Sequence, residues 1–122
     1  MLRPSIGNRV YGCDDCRLIC PWNKFAATTG EEDFAVRNGL DDTSLLELFG
    51  WTKEEFDTRL AGSSIRRIRH EQWLRNLAVG LGNAPFSVSV MSALQGRRDD
   101  VRPWYANTCA GHYICMKRVF SP

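Results

Sequence analysis

The chain has 122 residues, of which 43% are hydrophobic and 25% charged, and its net charge is +2. This composition is ordinary for a soluble globular protein, and the length suits one modest domain. No stretch approaches the roughly 20 apolar residues of a membrane span, and Met1 leads into polar sequence, so we expect neither a transmembrane helix nor a signal peptide.

Residues 1–11 contain Pro4 and the pair Gly7-Asn8, which predict an extended entry with a turn. A dense cysteine motif follows, with Cys13, Cys16 and Cys20 inside eight residues and Pro21 directly after. The two-residue gap between Cys13 and Cys16 lets both sulfurs reach one metal centre. The three-residue gap to Cys20 is about one helical turn, so Cys20 can point away, and Pro21 is expected to end the turn.

Thiolates at this density, closed by Cys-Pro, are typical of bacterial ferredoxin-type [4Fe–4S] domains. Three cysteines are one short of a set for one cluster, so either a ligand comes from elsewhere or the three are divided between two clusters. A zinc knuckle or a redox Cys-x-x-C is the alternative. Iron–sulfur is favoured because zinc ribbons usually carry a second Cys-x-x-C pair, which this sequence lacks. Asp14 and Asp15 form the acidic pair beside the motif, where one can face a ligand and the other can cap the turn.

The first predicted helices follow a loop that covers residues 23–38, with one helical turn near 31–36. A short helix capped by Asp41 or Asp42 should end at Gly50. Thr52 and Glu55 match a capping box, which begins a helix that ends near Gly62. The apolar positions of these two helices are Leu45, Leu46, Leu48, Phe49, Phe56 and Leu60.

A longer helical pattern begins after Ser63 or Ser64 and ends at Gly82-Asn83, with a break near residues 69–70. Pro85 is expected to open a further helix that ends at Gly96. Successive short amphipathic helices with tight corners are typical of an α-α unit. The apolar positions are Ile65, Ile68, Leu74, Leu77, Ala78, Leu81, Val88, Met91 and Leu94.

Arginines are concentrated between residues 59 and 75, and Arg66, Arg67 and Arg69 lie at the start of a predicted helix. Guanidinium groups at such a position suit phosphates, which indicates a nucleic-acid contact; a solvated charged face is the alternative. His70 is interpreted as a packing or capping residue, and Trp73 as a core residue.

The tail after Arg97 loses this periodicity, and Arg102-Pro103-Trp104-Tyr105 breaks it. Cys109, His112 and Cys115 can complete a metal site, although a poorly packed tail is favoured.

Two groups of motifs resemble one known family, the epoxyqueuosine reductases. The cysteine region matches the family's second cluster motif, and the later helices resemble its C-terminal helical region. The matching strings are RPSIGNRVYGCDDC at 3–16, CPWNKF at 20–25, SIRRI at 64–68, WLRNLAV at 73–79 and GNAP at 82–85.

This resemblance implies a cytoplasmic bacterial enzyme that reduces epoxyqueuosine to queuosine in tRNA, with cobalamin and two [4Fe–4S] clusters. It implies that Cys13 and Cys16 ligate the second cluster and Cys20 the first. It also implies that Cys13 and Asp14 lie beside the cobalamin. Position and charge make Arg66, Arg67 and Arg69 the candidates for contacts with tRNA phosphates.

The expected fold is mainly α: the C-terminal part of a ferredoxin-like 4Fe-4S domain, then HEAT-like helical hairpins. The expected divisions are a partial cluster segment (1–25), a helical connector (26–62), a HEAT-like region (63–98) and a divergent tail (99–122). The family's cobalamin domain and first cysteine motif would precede residue 1. The missing ligands would therefore come from an N-terminal portion or a partner chain, and the fragment alone should be inactive. The alternatives are a small iron–sulfur electron-transfer module and a zinc-stabilised helical RNA-binding or interaction domain.

Overall fold

The longest helix, α5, is the element against which the others pack. The structure is a computed structural model that describes residues 3–97. Helix α5 contacts α1, α3 and α4, and α3 also contacts α6. The helices are α1 (Arg3–Ile6), α2 (Asp15–Leu18), α3 (Leu45–Gly50), α4 (Lys53–Arg59), α5 (His70–Asn83) and α6 (Val88–Gly96), with 3-10 helices at Pro21–Phe25, Glu32–Phe34 and Ser64–Arg67. Residues 3–97 contain no β-strand, which confirms the mainly helical prediction.

The hydrophobic core lies between α3, α4, α5 and α6. Apolar residues of α5 recur at helical spacing, so one broad stripe of the helix faces its neighbours. Trp73 is buried at the centre, as predicted, with the ring of Phe56 5.8 Å and that of Trp51 6.3 Å from its own, centroid to centroid. The core residues are Leu48, Phe49, Trp51, Phe56, Leu60, Trp73, Leu74, Leu77, Ala78, Leu81, Val90 and Leu94.

Local capping fixes where the core helices begin. The predicted capping box is present: Thr52 Oγ1 accepts from the Glu55 N–H, and Glu55 Oε2 accepts from the Thr52 N–H at 2.8 Å. The expected break before α5 is also present, because the 3-10 helix Ser64–Arg67 precedes it. The predicted cap of α3 was wrong. Ser44, not Asp41 or Asp42, accepts from the Glu47 N–H, because Ser44 lies one residue before the helix.

Three further predictions of local structure differ from the observed chain. Residues 3–6 form a helical turn instead of an extended entry. Pro21 begins a 3-10 helix instead of ending a turn, since its fixed φ suits a first helical position. Helix α6 begins at Val88, three residues after Pro85, and Val88 is 76% exposed while Val90 and Leu94 are buried. No helix in residues 3–97 is long and apolar enough to cross a membrane. The predictions for the tail at 99–122, including Cys109, His112 and Cys115, lie outside the described residues.

Candidate metal-binding segment and basic surface

The cysteine segment, residues 5–25, is a chain of tight turns. Gly12 has φ +68° and Asp14 has φ +53°, so the backbone passes twice through the left-handed region around Cys13. Glycine adopts this conformation without penalty, and aspartate is one of the few other residues that tolerate it. Cys16 lies within α2, and Cys20 is the cap of the following 3-10 helix. The three cysteines thus occupy three different backbone settings within eight residues.

All three thiols are free, with Cys13 and Cys16 exposed and Cys20 partly exposed. Within residues 3–97 no three His, Cys, Asp or Glu side chains are gathered into a ready metal site. The thiol donors nevertheless fit iron–sulfur or zinc ligation, because they are unpaired by disulfides and accessible.

Both carboxylates of the predicted acidic pair face arginines. Asp15 Oδ1 accepts from Arg9 Nη2 at 2.7 Å, and this hydrogen bond, aided by the carboxylate charge, raises the pKa of Arg9. Asp14 Oδ1 lies 3.6 Å from Arg17 Nη1. Asp14 occupies the cap position of α2 without a side-chain hydrogen bond into the helix, while its carbonyl accepts from the N–H groups of residues 17 and 18. The acidic pair therefore neutralises neighbouring cations instead of capping α2 through a carboxylate.

Two asparagines of α5 hold the cysteine segment on the core. Asn76 Nδ2 donates to the Val10 carbonyl at 2.9 Å, and Asn83 Nδ2 donates to the Gly7 carbonyl at 2.8 Å. Between them, Gly80 brings α5 close to the backbone of Asn8, 3.7 Å from where a Cβ would stand. Sequence reasoning missed these residues. The sequence did contain a signal for them. The two asparagines are seven positions apart, so they share one face of the helix, and asparagine is a poor helix former.

A cavity of about 390 Å³ separates the start of the cysteine segment from α5. Ile6, Arg9, Cys13, Asn76 and Val79 are among its lining residues. Cys13 is the one cysteine of the motif that lines it, so this thiol lies at the junction of the segment and the helical core.

Large apolar side chains are exposed along the cysteine segment and just beyond it. We call them the exposed apolar cluster: Leu18 (75% exposed), Ile19 (82%), Trp22 (72%), Phe25 (66%), Phe34 (77%) and Val36 (61%). The rings of Trp22 and Phe25 lie 5.5 Å apart, and Lys24 Nζ lies 4.9 Å from the centre of the Phe25 ring. Exposed apolar side chains in contact with one another, as Trp22 and Phe25 are, are typical of an interaction site.

The predicted RNA-contacting arginines are exposed at the entry to α5. Arg66 and Arg67 belong to the 3-10 helix Ser64–Arg67, and Arg69 is the cap residue of α5, where its N–H donates to Gln72 Oε1 at 3.2 Å. Arg66 Nε lies 3.8 Å from Asp57 Oδ1, so this arginine also forms an ion pair within the protein. His70 is a packing residue as predicted: its Nε2 lies 3.1 Å from the Trp51 carbonyl oxygen, and its ring contacts Phe56.

A long-range hydrogen bond links the cysteine segment to the basic entry to α5. Tyr11 Oη donates to the carbonyl of Ser64 at 3.2 Å, across 53 positions of sequence. Ser64 begins the 3-10 helix that carries Arg66 and Arg67. This hydrogen bond therefore connects the candidate metal-binding segment to the candidate RNA-binding surface.

Comparison with curated proteins finds relatives named epoxyqueuosine reductase. The chain is 60% identical over 109 residues to that of Burkholderia pseudomallei, 60% over 97 residues to that of Pseudomonas aeruginosa, and 54% over 99 residues to that of Escherichia coli. These matches cover 80–81% of this chain but only 26–27% of each relative's length. They fall in the relatives' C-terminal portion. No family model and no solved structure matches the chain.

Proposed function

We propose that this chain forms the iron–sulfur and tRNA-contacting part of an oxidoreductase. It belongs to the epoxyqueuosine reductase family and matches the C-terminal portion of its relatives. The structural observation that carries the proposal is the free, accessible state of Cys13, Cys16 and Cys20 on a segment anchored to the helical core. In a whole protein of this kind, the substrate is epoxyqueuosine in tRNA and the product is queuosine.

The cysteines are assigned to two clusters. Cys13 and Cys16 ligate one [4Fe–4S] cluster and Cys20 ligates the other, and the electron-delivery chemistry comes from the bound clusters. The different backbone settings of Cys16, within α2, and Cys20, after it, support a divided ligand set. By the same family resemblance, Cys13 and Asp14 would lie beside bound cobalamin. The support from this chain is that Cys13 lines a cavity and that Asp14 stands on a left-handed turn.

The remaining ligands are assigned to sequence equivalent to the relatives' N-terminal portion, in the same polypeptide or in a partner chain. The exposed apolar cluster supports this, because burying such side chains against another folded unit is favourable by about 25 cal/mol per Å². In this proposal the two ends of the fragment belong to different architectures. Residues 1–25 complete a ferredoxin-like domain, and residues 63–98 form a HEAT-like helical region. Without the other portion, the fragment alone is inactive in epoxide reduction.

Arg66, Arg67 and Arg69 are assigned to phosphates of the tRNA. Their support is their exposure at the entry to α5 and the preference of guanidinium groups for phosphate oxygens. The cytoplasm, where tRNA is found, is the compartment this assignment requires.

Anaerobic reconstitution with iron and sulfide tests the metal assignment. The chain is mixed with the N-terminal portion of the Pseudomonas aeruginosa relative, and bound iron, labile sulfide and zinc are measured together with the electron paramagnetic resonance spectrum after reduction. We expect iron and sulfide to bind and Cys16→Ser to lose the signal of one cluster. Cys115→Ser, the same change outside the motif, should retain both.

Zinc in place of iron under these conditions would overturn the iron–sulfur assignment and favour a zinc-stabilised RNA-binding domain. Iron bound equally by wild type and Cys16→Ser would overturn the ligand assignment. Epoxyqueuosine reduction by the fragment alone would contradict the predicted inactivity.

A further inference from the structure

A second cavity, of about 280 Å³, opens beside the 3-10 helix that carries Arg66 and Arg67. Two arginines and two serines contribute to its wall, together with backbone at a glycine turn; the residues are Arg37, Arg59, Gly62, Ser63 and Ser64. Among the described residues that line it there is no carboxylate. The guanidinium and hydroxyl groups of this wall are donors that suit an anion.

Arg59 is fixed by packing at one wall of this cavity. Its guanidinium lies 4.9 Å from the centre of the ring of Trp51, which is itself only 3% exposed. Arg59 also forms an ion pair with Glu55, whose Oε1 lies 3.9 Å from Arg59 Nη2, a distance too long for a hydrogen bond. This cation–π contact with a buried ring restricts the side chain, so less side-chain freedom is lost when the guanidinium binds a ligand.

Gly62 leaves room for the guanidinium of Arg37 beside the backbone turn that lines the cavity. Its φ is +78°, and a Cβ at this position would lie 3.4 Å from Arg37 Nη1. Ser63 Oγ accepts from the Ile65 N–H at 3.2 Å, which engages an oxygen lone pair and leaves the hydroxyl hydrogen to donate elsewhere. Guanidinium and hydroxyl donors thus share one small cavity.

We propose that this cavity is a phosphate subsite that binds one backbone phosphate of the RNA whose neighbouring phosphates contact Arg66 and Arg67. The inference rests on the proposed RNA contact and extends it to Arg37 and Arg59. Planar guanidinium forks match phosphate oxygens, and the volume falls below the roughly 300–1,000 Å³ of sites for drug-sized ligands. A single phosphate group fits this size and chemistry.

The test measures binding of a fluorescent tRNA anticodon stem-loop to the full 122-residue chain across a range of salt concentrations. Arg37→Gln should weaken binding about three- to tenfold and reduce the salt slope by about 0.7–0.9, the loss of roughly one phosphate contact. The matched control is Arg75→Gln, which removes the same charge from the exposed face of α5 outside the cavity. Arg75→Gln should retain the wild-type slope.

Titration with inorganic phosphate, followed by amide NMR, distinguishes the source of the anion. The amides of residues 62–64 should shift in wild type and not in Arg37→Gln. If these amides shift with free phosphate while Arg37→Gln binds RNA like the control, the cavity takes free phosphate and the RNA subsite is overturned. The NMR spectrum of Arg37→Gln also shows directly that the variant is folded.

A third variant separates failure of this inference from failure of the proposed function. Replacing Arg66, Arg67 and Arg69 together by Gln should greatly weaken RNA binding. If that variant loses binding while Arg37→Gln matches Arg75→Gln, only the subsite is wrong. If wild type does not bind the stem-loop, or the triple variant binds as well as wild type, the proposed RNA surface and the subsite both fail.

Discussion

The helical core and the cysteine segment are held in place by different forces. Every buried hydrophobic residue in the described part of the chain lies between Leu48 and Leu94. The described side chains at 5–25 are exposed or partly exposed. Asn76 and Asn83 donate hydrogen bonds to backbone carbonyls of the segment, and the Tyr11 hydroxyl donates to the carbonyl of Ser64. The core is thus stabilised by burial, whereas the segment relies on a few polar contacts and on the partly buried Val10, which packs against the core.

This difference has an energetic consequence. Burial of a large apolar side chain contributes about 1.5–3 kcal/mol, whereas a single hydrogen bond contributes about 0.5–1.5 kcal/mol net. The cysteine segment should therefore open more readily than the helices it rests on. Metal ligation and burial of the exposed apolar cluster would supply the stabilisation that its own side chains do not.

The largest expected effect tests the core side of the comparison. Phe56→Ala removes a ring that is 2% exposed and packs on Trp73, so the free energy of unfolding should fall by about 3–5 kcal/mol. Phe34→Ala is the matched control, because Phe34 is 77% exposed in the apolar cluster and its loss should cost less than about 0.5 kcal/mol. Urea denaturation of both variants measures this. Equal losses would show that burial does not set the core apart from the exposed apolar cluster.

A smaller effect should appear when one anchor of the cysteine segment is removed. Asn76→Ala deletes the hydrogen bond to the Val10 carbonyl and should cost about 1–2 kcal/mol, mostly as local opening. Hydrogen exchange should increase at residues 7–11 and remain slow in the centre of α5.

Asn23→Ala is the control for this anchor. Asn23 donates to the Arg17 carbonyl inside the segment and makes no link to α5 through that bond. Its exchange at residues 7–11 should match wild type. Unchanged exchange in Asn76→Ala would show that the anchor does not hold the segment.

The smallest expected effect concerns an exposed ion pair on α4, one of the helices that form the core. A hydrogen bond from Lys53 to Asp57 at 3.0 Å lowers the pKa of Asp57, with the charges of Lys53 and Arg66 acting in the same direction. A carboxyl group with a depressed folded-state pKa stabilises the fold above its unfolded pKa of about 3.9. That contribution is lost as the pH falls through the folded-state value. Asp57→Asn should therefore reduce the loss of thermal stability below about pH 4, by a small amount because the pair is exposed.

Thermal melts between about pH 2 and 7 measure this dependence. Asp42→Asn, at an exposed position outside this ion pair, is the control. An acid profile of Asp57→Asn identical to that of wild type would show that the pair adds nothing to the core.

Local sequence signals predicted much of the core correctly. The Thr52–Glu55 capping box, the break before α5 and the burial of Trp73 follow from interactions within a few residues or from a 3.6-residue period. The predicted caps at Asp41 and Asp42 failed because several polar residues compete at that loop, and Ser44 alone stands next to the first helical turn. Val88 was expected in the core because it is apolar, yet the orientation of α6 leaves it exposed.

For the candidate sites, the sequence by itself determined the donors: three cysteines at metal spacing, an acidic pair and a cluster of arginines. The left-handed turn at Gly12 and the accessible thiols are local consequences of that order. Only the tertiary structure decided what supports them. The contacts from Asn76 to Val10 and from Tyr11 to Ser64 span 66 and 53 positions, and the cation–π contact of Arg59 with Trp51 depends on a ring buried by the core. Such pairings depend on how the helices pack, which no short stretch of residues encodes.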